Sequence, residues 1–139
     1  MQAVVSIYGI SDLTTIGEGI GNEKVHASAA VTEALLLNGP AFKDFAGASV
    51  NADPQKAKAA SPIGHVDGTE PPFLLMHGSG DKVVSPLQSK KMFEALQNKK
   101  VEAEYVLVRG AGHGDLPWYQ PGVISRVVNF FDRHLKRTE

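Results

Sequence analysis

Three short apolar runs stand out along the chain: AVVSIY from Ala3 to Tyr8, FLLMH from Phe73 to His77, and AEYVLV from Ala103 to Val108. Each is rich in β-branched or aromatic residues and closes on glycine or a glycine-containing turn, the pattern of a short strand. Their near-continuous apolar character predicts burial on both faces rather than one. Between and after them the apolar positions recur at helical spacing. A helix is predicted over Pro86 to Asn98, with Ser85 as its N-cap, Pro86 at its first position, and Leu87, Met92, Phe93 and Leu96 roughly on one face. Val123, Val127, Phe130, Phe131 and Leu135 form a second such stripe over Val123 to Leu135.

Strands that alternate with helices predict an α/β domain: three layers, with a partial parallel sheet of about three strands flanked by helices. Residues 9–72 fit this plan less cleanly. A helix is predicted around Glu23 to Leu37, stopped by Asn38-Gly39-Pro40, and an Ala-rich one from Pro54 to Ala60 with Asp53 as N-cap. GEGIGNE, from Gly17 to Glu23, reads as a mobile loop. Its Gly17-x-Gly19-x-Gly21 spacing is wrong for a dinucleotide fingerprint, and it does not directly follow a strand.

Composition narrows the function classes. At 139 residues the chain is read as a single domain, 1–139, with one core. Fourteen Lys and Arg against 15 Asp and Glu leave a formal net charge of -1, so no excess positive charge draws it to nucleic acid or anionic lipid. The absence of cysteine excludes disulfides, thiolate zinc sites and a cysteine nucleophile. No Lys or Arg precedes the first apolar run, which is too short for a signal peptide or a membrane span, and a cytoplasmic location is therefore the expectation.

Chemistry concentrates in two glycine-rich turns. FLLMH runs into Gly78-Ser79-Gly80-Asp81, and AEYVLV runs into Arg109-Gly110-Ala111-Gly112-His113-Gly114. In a parallel sheet, functional groups collect where the chain leaves the carboxyl ends of strands, so Asp81 and His113 are expected at the same end of neighbouring strands. A carboxylate that accepts the Nδ1 proton of an imidazole fixes its tautomer and leaves Nε2 free to take a proton from a hydroxyl nucleophile. Taken singly, Asp81 could equally cap a turn, whereas His113 between glycines has no apolar face to pack on. His77, Asp81, His113 and Asp115 also offer oxygen and imidazole donors for a metal, but their spacing matches no local metal motif, and no cofactor is predicted. His26, His65 and His134 read as surface or helix-terminal residues, the last with Arg133, Lys136 and Arg137 in a final helical turn where positive charge is favourable. Trp118 and Tyr119 read mainly as packing for the last helix, with a pocket wall as the alternative.

The segment PPFLLMHGSGDKVVSPLQSKKMFEALQNKKVEAEYVLVRGAGHG resembles the C-terminal part of an α/β-hydrolase of the esterase/lipase and prolyl-oligopeptidase-like group. AVVSIYGISDL is similar to the strand and turn that follow the nucleophile helix in that group, and ASPIGHV to the stretch before the strand that carries the acid. The resemblance implies that Asp81 is the acid of a catalytic triad, that His113 is its general base, and that His77 and Gly78 are structural support. It implies carboxylic ester hydrolysis on a small-molecule substrate. The group's order is Ser, then Asp, then His, with the serine in a Gly-x-Ser-x-Gly elbow, and no such elbow occurs in these 139 residues. The nearest approximations lie at Ser11 and Ser49, and each lacks the final glycine. A fragment, a truncated gene and one half of a two-chain enzyme are all consistent with that pattern.

Acyl transfer by this chain alone is therefore expected to be weak or absent. An alternative is a non-catalytic, self-associating module derived from a hydrolase. In the related group the strand matching Ala3 to Tyr8 pairs with the nucleophile strand. Left unpaired, that edge predicts a homo-oligomer with Ala3 to Tyr8 near the interface.

Overall fold

A computed structural model describes residues 2–39 and 46–135. Three strands, β1 (Val4–Ile7), β2 (Phe73–Gly78) and β3 (Ala103–Val108), form one parallel sheet in the order β1-β2-β3. Val4 pairs with Phe73, and Phe73 in turn with Ala103, so all three carboxyl ends open on the same side. The helices are α1 (Glu23–His26), α2 (Thr32–Asn38), α3 (Pro54–Ala60), α4 (Pro86–Asn98) and α5 (Pro121–Leu135).

The two-residue period of β2 sorts its side chains between two cores. Leu74 and Met76 are buried with Ala111, Trp118 and Phe130, a cluster to which α5 adds Val123, Val127 and Phe131. Leu75 faces the other way and is buried with Met92, Leu96 and Val101, against which Phe73, Phe93 and Tyr105 pack. The result is the expected three-layer arrangement, α5 on one face and α4 on the other. A satellite cluster of Ala34, Val50 and Ala57 packs α2 and α3 together beside this core. Among the described residues no helix is long and apolar enough to cross a membrane.

Burial on both faces holds for β2 only. Strands β1 and β3 are half-buried except at Ile7 and Leu107, which are exposed at 36% and 45%. One helix on each face covers the middle strand and leaves the flanking strands partly open. β1 is an edge: Val4 and Tyr8 direct their N–H groups at Pro72 and Met76, and the alternation turns Val5 and Ile7 outward, where no strand pairs with them among the described residues.

The start signals of α3 and α4 read correctly. Asp53 accepts from the Lys56 amide, and Ser85 accepts from the Leu87 amide with Pro86 in the first turn. The inward face of α4 is more polar than its periodicity suggests, because Gln88 and Ser89 are buried beside Met92 and Leu96. The single helix predicted over Glu23 to Leu37 is two helices. Ser28 turns its hydroxyl back to accept from the Ala30 amide, and Val31 is extended, so residues 27–31 break the helix. The stop at Gly39, with φ of 87°, lies where expected, while Pro40, Lys136 and Arg137 fall outside the described residues. Gly17–Gly21 forms turns in which Gly19 and Gly21 adopt positive φ.

Candidate active site

The two glycine-rich turns are bonded to one another at the carboxyl end of the sheet. The Ser79 amide donates to Val108 O at 3.0 Å, the Gly80 amide to Ala111 O at 2.9 Å, and the Gly110 amide to the Ser79 hydroxyl at 2.9 Å. Gly78 permits this approach: a Cβ there would stand 2.4 Å from Ala111 O and 2.6 Å from Gly112 O. Gly110 and Gly114 supply the positive φ values, 77° and 76°, that bend the second turn around His113.

Asp81 is almost wholly buried. Its Oδ1 accepts from the amides of Val83 and Val84, at 2.8 and 2.9 Å, which aims Oδ2 at His113 Nδ1 2.8 Å away. Burial works to raise the Asp81 carboxyl, but the hydrogen bonds from His113, Val84 and Val83 outweigh it and hold the group below the ordinary carboxylate value. His113 is 30% exposed at its side chain, and its Nε2 makes no hydrogen bond to any described residue. Asp81 and His113, singled out from the sequence, are thus brought together as a carboxylate–imidazole pair. An imidazole held in this way can serve as an oriented base through Nε2.

His77 stands behind the pair as support. It is fully buried, with Nε2 3.0 Å from Val84 O and 3.3 Å from Asp81 Oδ2, and Nδ1 2.7 Å from the Ser89 hydroxyl. A carbonyl only accepts, so Nε2 carries the proton and Nδ1 accepts from Ser89. Burial pushes the His77 imidazole below the usual histidine value, against the opposing pull of Val84 O and Asp81, which keeps this ring neutral.

Further contacts fix the His113 turn. Asp115 Oδ2 accepts from the Gly112 amide at 2.8 Å, and Trp118 Nε1 donates to Gly112 O at 2.8 Å. Trp118 is buried, as the packing reading expects, whereas Tyr119 is 65% exposed. Tyr8 is a participant that the sequence reading missed. Its ring lies 4.4 Å from the His113 ring and packs edge-on to Trp118 at 5.0 Å, and its backbone adopts a φ of 44°, uncommon for a bulky residue. The rule that located Asp81 and His113, the carboxyl end of a parallel strand, applies equally to Tyr8 at the end of β1.

The serines nearest to an elbow pattern are engaged elsewhere. The Ser11 hydroxyl is buried and donates to Gln88 O at 2.7 Å, and the Ser49 hydroxyl accepts from the Asn51 amide. Neither bonds to His113. Among the described residues no three His, Asp or Glu side chains converge as metal ligands; Asp115 locks a turn, and both nitrogens of His77 are occupied. His65 is exposed and His134 lies in the last turn of α5, as read, but His26, although it ends α1, is buried rather than on the surface.

Comparison with known proteins agrees with this architecture. The BD-FAE family model matches residues 1–96. Esterase LipC of Mycobacterium tuberculosis is 36% identical over 67 residues, 48% of this chain and 17% of that protein. Esterase LipQ of the same organism is 33% identical over 99 residues, 70% of this chain and 20% of that protein. Among solved structures, a truncated form of a carbohydrate esterase from gut microbiota superposes with a TM-score of 0.77 at 25% identity, over 96% of this chain and 42% of that one. The chain spans about a fifth of the length of the curated relatives it matches.

Proposed function

Because the chain belongs to the BD-FAE family, within the α/β-hydrolase superfamily, we propose that it carries the acid and base of a serine-type carboxylic ester hydrolase. The observation that supports this most is the 2.8 Å contact between Asp81 Oδ2 and His113 Nδ1, with His113 Nε2 left free at the carboxyl end of the sheet. In the proposed reaction Nε2 takes the proton of a hydroxyl as that oxygen attacks the ester carbonyl. It then returns the proton to the departing alcohol oxygen. The Asp81 carboxylate, already held by two amides, stabilises the imidazolium that forms in between without itself being protonated. Tyr8 walls one face of the imidazole, and Val83 and Leu116, 51% and 75% exposed, lie next to the two turns as apolar surface for a small-molecule ester.

The hydroxyl nucleophile and the oxyanion donors belong, in this reading, to residues outside these 139. Such a base alone activates water slowly, since the oxyanion donors and nucleophile supply most of the rate. The purified chain is then expected to hydrolyse an activated aryl ester slowly, in a manner lost in His113→Ala. Equal rates for the two would remove the base from the scheme. A fluorophosphonate probe read by intact mass should leave the serines unmodified, and a stoichiometric adduct on Ser11, Ser49 or any other serine would overturn the assignment of the nucleophile.

Among the described residues no strand pairs with the outward edge of β1, which favours a second property, self-association. Val5 and Ile7 present backbone donors and acceptors there, and pairing with a second copy would satisfy them.

A further inference from the structure

A second carboxylate–imidazole pair lies close to the first and has no part in the scheme above. His26 Nδ1 contacts Glu33 Oε1, both side chains being 9% exposed. On one continuous helix, residues seven apart would stand about 10 Å apart along the axis, so only the break at residues 27–31 lets them meet. The other nitrogen of the ring, Nε2, is 3.0 Å from Val83 O.

That carbonyl belongs to the peptide group whose N–H, on Val84, donates to Asp81 Oδ1. His26 is therefore connected to His113 through one peptide unit and one carboxylate. Its neighbours repeat the pattern: Asn22 Nδ2 contacts Lys82 O, and His77 Nε2 contacts Val84 O. Three successive carbonyls of the acid turn, Lys82, Val83 and Val84, are each held by a side chain from outside it. The amides of Val83 and Val84 meanwhile point inward at Asp81.

Donor counting fixes the protonation. Val83 O can only accept, so His26 Nε2 carries a hydrogen. Nδ1 then faces Glu33 in one of two forms, imidazolium against carboxylate or imidazole against carboxylic acid, and in both the pair holds one shared proton while Nε2–H stays directed at Val83 O. We propose that His26 is a positioning residue for the Asp81–His113 pair, with Glu33 sharing the proton at Nδ1 so that Nε2 stays a donor, and that the segment containing α1 and α2 thereby clamps the acid turn from outside. The proposal rests on the reading of Asp81 and His113 as acid and base.

The test is solvent exchange of the His113 Nδ1 proton, followed by NMR in the purified chain. His26→Met fills the space without a donor, whereas His26→Gln restores an N–H that can reach Val83 O. The methionine variant should speed exchange of that proton about tenfold by letting the acid turn open locally, while the glutamine variant stays within about twofold of the parent. The Leu75 amide in β2 should remain unchanged in both, which separates the effect from global loss of structure. Parent-like exchange in the methionine variant, or equal acceleration in both variants, overturns the proposal. Should the methionine variant fail to fold, the ring nitrogens of His26 in the parent chain decide: a protonated Nε2 is required, and an unprotonated one overturns it. Asp81→Asn separates the two levels, because a His113 Nδ1 proton indifferent to that change would refute the acid–base pair itself rather than the clamp.

Discussion

Asp81 gives the sharpest separation between holding the fold and doing chemistry. In Asp81→Ala the amides of Val83 and Val84 lose their acceptor, and His113 Nδ1 loses its partner. A buried donor left without a partner costs about 1 to 3 kcal/mol, and the half-exposed Val83 can recover part of that from water, so the loss should be about 2 to 4 kcal/mol. Asp81→Asn keeps an oxygen for both amides and forfeits the charge on the acceptor together with the longer contact to His77 Nε2–H, about 1 kcal/mol. Asparagine nevertheless presents N–H to His113 Nδ1, which forces that nitrogen to accept and moves the ring proton to Nε2. The asparagine variant should therefore be only mildly destabilised yet as inactive toward an aryl ester as His113→Ala. Urea denaturation of the three chains, compared at equal slope, gives the stabilities. If alanine proves no more costly than asparagine, with both below about 0.5 kcal/mol, the carboxylate is not the acceptor that organises this turn.

Stability should also fall with pH in two steps. The folded chain holds His77 below the ordinary histidine value and Asp81 below the ordinary carboxylate value. In each window the unfolded chain binds more protons, so stability is lost as pH drops, first below about 6.5 through His77 and then below about 4 through Asp81. His77→Gln should flatten the upper step in urea midpoints taken across that range, and an unaltered slope would contradict this origin. Gly78→Ala drives a methyl group against two backbone carbonyls of the His113 turn, and a loss of about 2 kcal/mol or more is expected by thermal melting, whereas a neutral result would mean that the turns are not in contact. Light scattering should find self-association at micromolar concentration, and a clean monomer would reject pairing through β1.

How much of this was legible in the sequence depends on how local the signals are. The three strands, the caps of α3 and α4, and the pairing of Asp81 with His113 rest on short-range patterns: apolar runs closed by glycine, Ser85-Pro86, and an acid and a histidine leaving parallel strands on the same side. Features set by tertiary geometry were not legible. The break between α1 and α2 is a local exception that was missed, a serine side chain competing for its own backbone; it brings His26 to Glu33, so a histidine read as surface or helix-terminal does end its helix but is buried. Tyr8 looked like the end of a buried run, and only the arrival of His113 and Trp118 beside β1 makes it part of the site. The exposure of β1 and β3 reflects how many helices cover the sheet, which no property of the strands themselves encodes. Gln88 and Ser89 interrupt an apolar stripe because they bond Ser11 and His77, partners 77 and 12 residues away.

The most direct test of His113 as an oriented base is its tautomer, read from the ring-nitrogen chemical shifts of the labelled chain at about pH 8, where an ordinary histidine is neutral. The predicted result is a proton on Nδ1 and a bare Nε2, reversed in Asp81→Asn. A proton on Nε2 in the parent chain would leave no free nitrogen to receive a hydroxyl proton and would contradict the assignment of Asp81 and His113 as acid and base.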